Sequence, residues 1–241
     1  MLFLKKKYGG VMFFDGHIVR YFLGNIPVIV TSQHDGYITY LDGVSLPMVF
    51  NVANDVGSRL LVETMSAFSL TSFYSPYVFI YKVQKSRSSW ELYKDYLEEL
   101  TKQAQRIMRA YGRCLVLDIH RFHKKPECDA QKDCDIIFGT NLRKSVEGDI
   151  DFIFAQIFRK AISDFTGKDY SIYVPTTEVI EGTRFGATGI NPDRIIQSKW
   201  LKDRLPEVST IQIEFYKELL ALPIRDRIAK ALAMAIERLN R

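Results

Sequence analysis

Asp118-Ile119-His120 follows directly on the apolar run Cys114-Leu115-Val116-Leu117, and His34 follows a second such run, Ile26-Pro27-Val28-Ile29-Val30. Open α/β sheets gather their chemistry at the carboxyl ends of their strands. Two of the chain's four histidines therefore stand where a metal ion or a polar substrate could be met. A catalytic zinc takes nitrogen or carboxylate ligands and keeps a position open for water, which makes His34 and His120 the nitrogen candidates. Asp55 is the candidate oxygen ligand, although an aspartate in that position serves equally well as a helix N-cap. Asp35, adjacent to His34, is the alternative carboxylate. His123 lies three residues beyond His120, but no helix is predicted there to bring the two imidazoles together.

Further groups could complete such a centre. Asp118 shares a strand face with His120 and could orient the imidazole by accepting its second N–H, or could instead satisfy nearby loop amides. Glu214 ends the apolar strand Thr210-Ile211-Gln212-Ile213-Glu214 and would be costly to bury unpaired. Beside a metal it is the candidate general base; away from one it would be a rim carboxylate paired with Arg184 or Lys217. Arg121 is the nearest cation for a developing oxyanion. Arg87 and Arg184 could grip a planar carboxylate bidentately. The chemistry these types suit is metal-assisted hydrolysis of an amide in a small anionic substrate.

The elements that must position these residues can be read from periodicity. Strand patterns cover Pro27 to Ser32, Tyr77 to Val83, Cys114 to Leu117, Asp135 to Thr140, Ser171 to Val174 and Thr210 to Glu214. A helical pattern runs from Val56 to Phe68, with Asn54 or Asp55 as its cap. Ser88 and Glu91 have capping-box spacing ahead of a long helix to about Ala110, with Leu92, Tyr96, Leu100, Ala104 and Ile107 inward and Gly112 closing it. Another helix spans about Val146 to Phe165 with an apolar set of Ile150, Ile153, Phe154, Ile157, Phe158 and Ile162. The last follows Pro223, with Ile224, Ile228, Leu232, Ala235 and Leu239 as its apolar face. The segment before Ile26 gives no clear pattern, and Phe122 to Asp133 reads as a loop beside the site. Strands separated by helices predict an α/β fold of three α/β/α layers around a mixed, mostly parallel sheet, in a single domain over 1–241.

Glycines at 182, 186 and 189 are spaced wrongly for a P-loop or a dinucleotide fingerprint. Three cysteines at 114, 128 and 134 give neither a disulfide framework nor a zinc knuckle. Free thiols are expected, with Cys114 buried. The net charge of +5 is spread along the chain, so Lys5 to Lys7 and Arg106, Arg109 and Arg113 do not make the continuous footprint that nucleic acid requires. No apolar run reaches the roughly 20 residues of a membrane span. The order Met1-Leu2-Phe3-Leu4 then Lys5-Lys6-Lys7 reverses that of a signal peptide, and cytoplasmic residence is the default expectation.

Taken in order, Ser32-Gln33-His34-Asp35-Gly36, Asp55-x-Gly57, Lys85-Ser86-Arg87, Leu117-Asp118-Ile119-His120-Arg121, Asp135-Ile136-Ile137-Phe138-Gly139-Thr140 and Ile211-Gln212-Ile213-Glu214 resemble the N-formylglutamate amidohydrolase family over roughly residues 25 to 230. The resemblance implies a phosphorylase/hydrolase-like fold with a core like that of zinc carboxypeptidases, and hydrolysis of a C–N bond. It implies His34 and His120 as Zn2+ ligands, Asp55 as the carboxylate ligand, Glu214 as general acid and base, and Arg87 as a substrate contact. Departures bear on the substrate: Gln33 stands where the family has proline, and Ser88-Ser89-Trp90-Glu91 lacks the aspartate and Asn-Arg pair associated with binding the amino acid. The competing function classes are a noncatalytic binding or structural protein on the same frame and, behind it, a basic nucleic-acid-binding protein.

Overall fold

Strands that are buried on both faces must be apolar almost throughout, and the runs read above occupy the middle of one sheet. The computed structural model describes residues 9–14, 17–22, 26–32, 77–82, 90–122, 134–141, 143–174, 196–220 and 224–241. Its strands are β1 (Gly9–Phe14), β2 (His17–Phe22), β3 (Val28–Ser32), β4 (Tyr77–Lys82), β5 (Cys114–Phe122), β6 (Ile136–Gly139), β7 (Ile172–Tyr173) and β8 (Val208–Tyr216). They form one mixed sheet in the order β1-β2-β4-β3-β5-β8-β6-β7. β4, β3, β5 and β8 run parallel to one another, as β6 and β7 do, while β1, β2 and β6 pair antiparallel with β2, β4 and β8 respectively. The predicted α/β architecture is the observed one.

Among the described residues, two helices cover each face. α1 (Trp90–Tyr111) and α3 (Ile196–Arg204) bury Leu97, Leu100, Ala104, Ile107 and Leu201 against Ile29, Cys114, Val116 and Val208. The spacing 97, 100, 104, 107 is that of a helix with one apolar stripe, and Trp200 Nε1 ties the two helices by donating to Thr101 Oγ1 at 3.1 Å. On the other face α2 (Ile150–Thr166) and α4 (Ile224–Leu239) close over Val28, Val30, Leu115, Leu117, Ile119, Ile211, Ile213 and Phe215. Phe138, Phe154 and Phe158 stack there with centroids 5.6 to 6.4 Å apart, and Phe215 meets Phe158 edge-on at 6.3 Å. Among the described residues, no helix is long and apolar enough to cross a membrane.

Gly112 ends α1 in the left-handed region at φ +71, and its N–H donates to the Met108 carbonyl at 2.8 Å. A side chain there would be strained by the backbone conformation itself.

Several boundaries differ from expectation for identifiable reasons. The unclassified N-terminal segment is a hairpin whose register, Phe14 opposite His17, leaves a two-residue connection at Asp15-Gly16, a strong hairpin signal. β5 continues through Phe122 instead of stopping at Leu117, because β8 pairs with it over its whole length. α2 starts at Ile150, not at Val146; Val146 is buried in the preceding turn, and Ile153 is 50% exposed rather than inward. That turn carries Arg143 at φ +66, held by Asp149 Oδ1 at 2.6 Å and by buried Asp151 Oδ2 at 3.2 Å. α3 was not anticipated: with few apolar residues, its sequence shows little helical periodicity. The helix expected over Val56 to Phe68, the loop after Phe122 up to Asp133, and the glycine-rich passage Glu181 to Gly189 lie outside the described residues.

Candidate functional site

Residues alternate across a strand, and on β5 and β8 the alternation separates two kinds of surface. The odd positions from Leu115 to Ile119 and from Ile211 to Phe215 are apolar and meet α2 and α4. Even positions meet α1 and α3, beginning with Cys114, Val116 and Val208. Toward the carboxyl ends these even positions become Asp118 on β5 and Thr210, Gln212 and Glu214 on β8, all buried. A row of polar side chains inside a sheet covered on both sides needs hydrogen-bond partners.

Those partners come from neighbouring strands and from α3. Thr31 on β3 lies in register with Asp118, and its hydroxyl donates to Asp118 Oδ1 at 2.6 Å. Gln197 on α3 donates its amide to Thr31 Oγ1 at 3.1 Å, so the hydroxyl proton is directed toward the carboxylate. The Thr210 hydroxyl donates to Ser198 Oγ at 2.8 Å. On β8 the Gln212 amide donates to Glu214 Oε1 at 2.8 Å. Both acids are nearly sealed, Asp118 at 6% and Glu214 at 2% exposure.

The parallel register of β5 and β8 aligns the two acid-bearing segments. Asp118 stands opposite Gln212, and His120 stands opposite Glu214. His120 thus belongs to the strand itself, beside the proposed base, and β3, whose last residue precedes His34 by two positions, borders β5 directly. Arg121 falls in register with Phe215, one step away from the His120 and Glu214 pair. His34, Asp35, Asp55, Arg87, His123 and Arg184 lie outside the described residues. Among the described residues no group of three or more His, Cys, Asp or Glu side chains converges as a metal centre.

The surroundings grade from apolar to polar along this face. Ile137 on β6 stands opposite Glu214 and packs with Cys134, flanked by Tyr173 and Tyr216. Lower on the same face, burial pushes the Cys114 thiol up to about 12, so no thiolate forms there near neutrality and Cys114 is not a nucleophile.

Sequence reasoning missed Thr31, Gln197 and Gln212. For Gln212 a signal existed: Thr210, Gln212 and Glu214 recur at alternate positions between apolar residues and mark one face as specialised. Thr31 resembles an ordinary β-branched strand residue, and nothing local distinguishes Gln197.

No family model matches the chain, and no curated protein matches it. Solved structures with some likeness include an N-formylglutamate amidohydrolase from Ralstonia eutropha JMP134, 12% identical over 98% of this chain and 97% of its own, with a TM-score of 0.48. A gene product of Agrobacterium tumefaciens is 10% identical over 90% of this chain and 91% of its own, with a TM-score of 0.45. A metallo-carboxypeptidase from Burkholderia cenocepacia is 12% identical over 98% of this chain, which spans 65% of it, with a TM-score of 0.45. With TM-scores below 0.5, none of them assigns a function to this chain.

Proposed function

We propose that this chain is a metal-dependent hydrolase that cleaves a C–N amide bond in a small carboxylated substrate such as an N-formyl or N-acyl amino acid. The observation that carries the reading is the register of β5 and β8, in which His120 stands opposite the buried Glu214 at the carboxyl ends of parallel strands. Strand ends of this kind are where open α/β sheets bind ligands. The ordered motif resemblance supports the same reading from the sequence.

His34, His120 and Asp55 are the residues proposed to hold zinc. Two imidazoles and one carboxylate form a donor set that suits this ion, and the fit is supported by the adjacency of β3, which leads to His34, and β5, which carries His120. Zinc bound there would polarise the scissile carbonyl and lower the pKa of water.

Glu214 accepts the proton of the attacking water and delivers it to the departing nitrogen, a two-way role for which one fixed carboxylate suffices. Asp118, two residues before His120 and held by Thr31, orients the imidazole. Arg87 and Arg184 bind the substrate carboxylate. The partner is accordingly a small anionic amide.

Glu214→Gln keeps the side-chain shape and removes the base. Turnover of N-formyl and N-acetyl amino acids should fall by roughly 10²- to 10⁴-fold, with metal content measured by elemental analysis unchanged, while His120→Ala should lose the metal. Full turnover in Glu214→Gln, or stoichiometric metal retained in His120→Ala, would overturn the assignment. Failure to bind metal and to hydrolyse any of these amides would favour a noncatalytic protein on this frame.

A further inference from the structure

Gln212 has no part in the scheme above, yet its amide donates to the carboxylate of the base. We infer that Gln212 is the positioning residue for Glu214, fixing the plane of its carboxylate with a neutral hydrogen bond, an inference that rests on Glu214 acting as the base.

The two residues are alternate members of β8 and share a face, with the amide Nε2 2.8 Å from Oε1 and exposures of 4% and 2%. The register explains why this amide is suited to the task. On β6 the position opposite Gln212 is Gly139, which has no side chain to compete for space next to the amide. On β5 the position opposite Gln212 is Asp118, so a neutral residue occupies the place between two buried acids where a third carboxylate would repel both. Beside Glu214 itself, the β6 neighbour is Ile137, whose apolar side chain offers no hydrogen bond.

The neutrality of the donor matters. A lysine or arginine in this position would favour the charged carboxylate strongly and weaken it as a base. An amide orients the group with a smaller bias, and orientation is what a residue that takes a proton at one moment and returns it at the next must keep. The role of Gln212 is thus exerted through Glu214, to which its amide donates.

The test is Gln212→Met, which keeps length and removes the N–H, studied beside Glu214→Gln. With N-formyl and N-acetyl amino acids as probes, kcat should fall on the order of tenfold, the effect of losing a hydrogen bond to a charged group. KM and metal content should stay within about twofold of wild type. Independently of activity, the carboxyl ¹³C resonance of Glu214 in metal-free protein, assigned by its absence in Glu214→Gln, should move in Gln212→Met. Unchanged kcat together with an unmoved resonance would overturn the inference, as would a loss confined to KM. Should Gln212→Met fail to fold, Gln212→Asn retracts the amide by one methylene, and wild-type kcat in that variant would equally overturn it. Full turnover in Glu214→Gln instead removes the base reading and this inference with it. An inactive Glu214→Gln beside a fully active Gln212→Met removes the role of Gln212 alone.

Discussion

The face of β5 and β8 that meets α2 and α4 is apolar from Leu115 to Ile119 and from Ile211 to Phe215, whereas the face that meets α1 and α3 starts apolar and then turns polar at Asp118, Gln212 and Glu214. Both faces are buried, and the same backbone serves both. Burial alone therefore does not distinguish a residue that stabilises the fold from one that burdens it. Apolar area removed from water contributes about 25 cal/mol per Å², while a buried polar group at best recovers what it loses on leaving water. A strand that alternates between the two can place acids in a dry site because its other side supplies the cohesion.

This contrast can be broken most forcefully on the apolar face. Phe158 touches three aromatic rings, and Phe158→Ala should cost about 3–5 kcal/mol in urea unfolding. Its metal content and pH dependence, measured well below the unfolding midpoint, should match wild type. A loss under about 1 kcal/mol would mean that the aromatic stack is not what holds the sheet to α2.

A smaller effect is expected on the polar face. Thr31→Val keeps the strand shape but takes a donor from Asp118 and an acceptor from Gln197, at a cost of about 1–3 kcal/mol. If this variant proved as damaging as Phe158→Ala, the polar row would be a principal stabilising element and the division between the faces would fail.

The smallest effect sharpens the comparison within the polar-turning face, at its apolar end. The Cys114 thiol, raised from 9.0 to about 12 by burial, keeps its proton in the native state over a range where the unfolded chain loses it. The unfolded state therefore binds fewer protons between these values, and the stability contributed is complete below pH about 9 and is lost as pH rises toward 12. Wild type should show this alkaline decline more steeply than Cys114→Ala in unfolding measured against pH. The native thiol should also resist alkylation at pH 8. Prompt labelling of Cys114 in folded protein would contradict its enclosure.

What the sequence disclosed and what it hid follow the same division. Apolar runs at Val28 to Val30 and Cys114 to Leu117 announced central parallel strands, because strands covered on both faces are apolar over most of their length. The stripe at Leu100, Ala104 and Ile107 announced α1 by its spacing. Glu214 was conspicuous as an acid in an apolar strand, and its buried place bears out that oddity. What stayed hidden depends on pairing. The alignment of His120 with Glu214 is a property of two strands that are 94 positions apart in sequence, and no local pattern encodes it. The grip of Gln197 on Thr31 spans 166 positions and comes from a helix with scarcely any apolar stripe. The β1 and β2 hairpin went unread despite Asp15-Gly16, because the aromatic residues around it do not alternate cleanly with polar ones.

The antiparallel setting of β6 has a further consequence. β5 ends with Phe122 opposite Tyr216, and β6 begins with Ile136 opposite Phe215, so the chain leaves one strand and enters the other at the same edge of the sheet, next to Glu214. A parallel β6 would have required a return journey across a face. As built, Phe122 and Ile136 both pair with β8 within two positions of Glu214, so the length of chain between them could change by insertion or deletion without rethreading a single strand. Variation in that connection is thereby uncoupled from the integrity of the sheet.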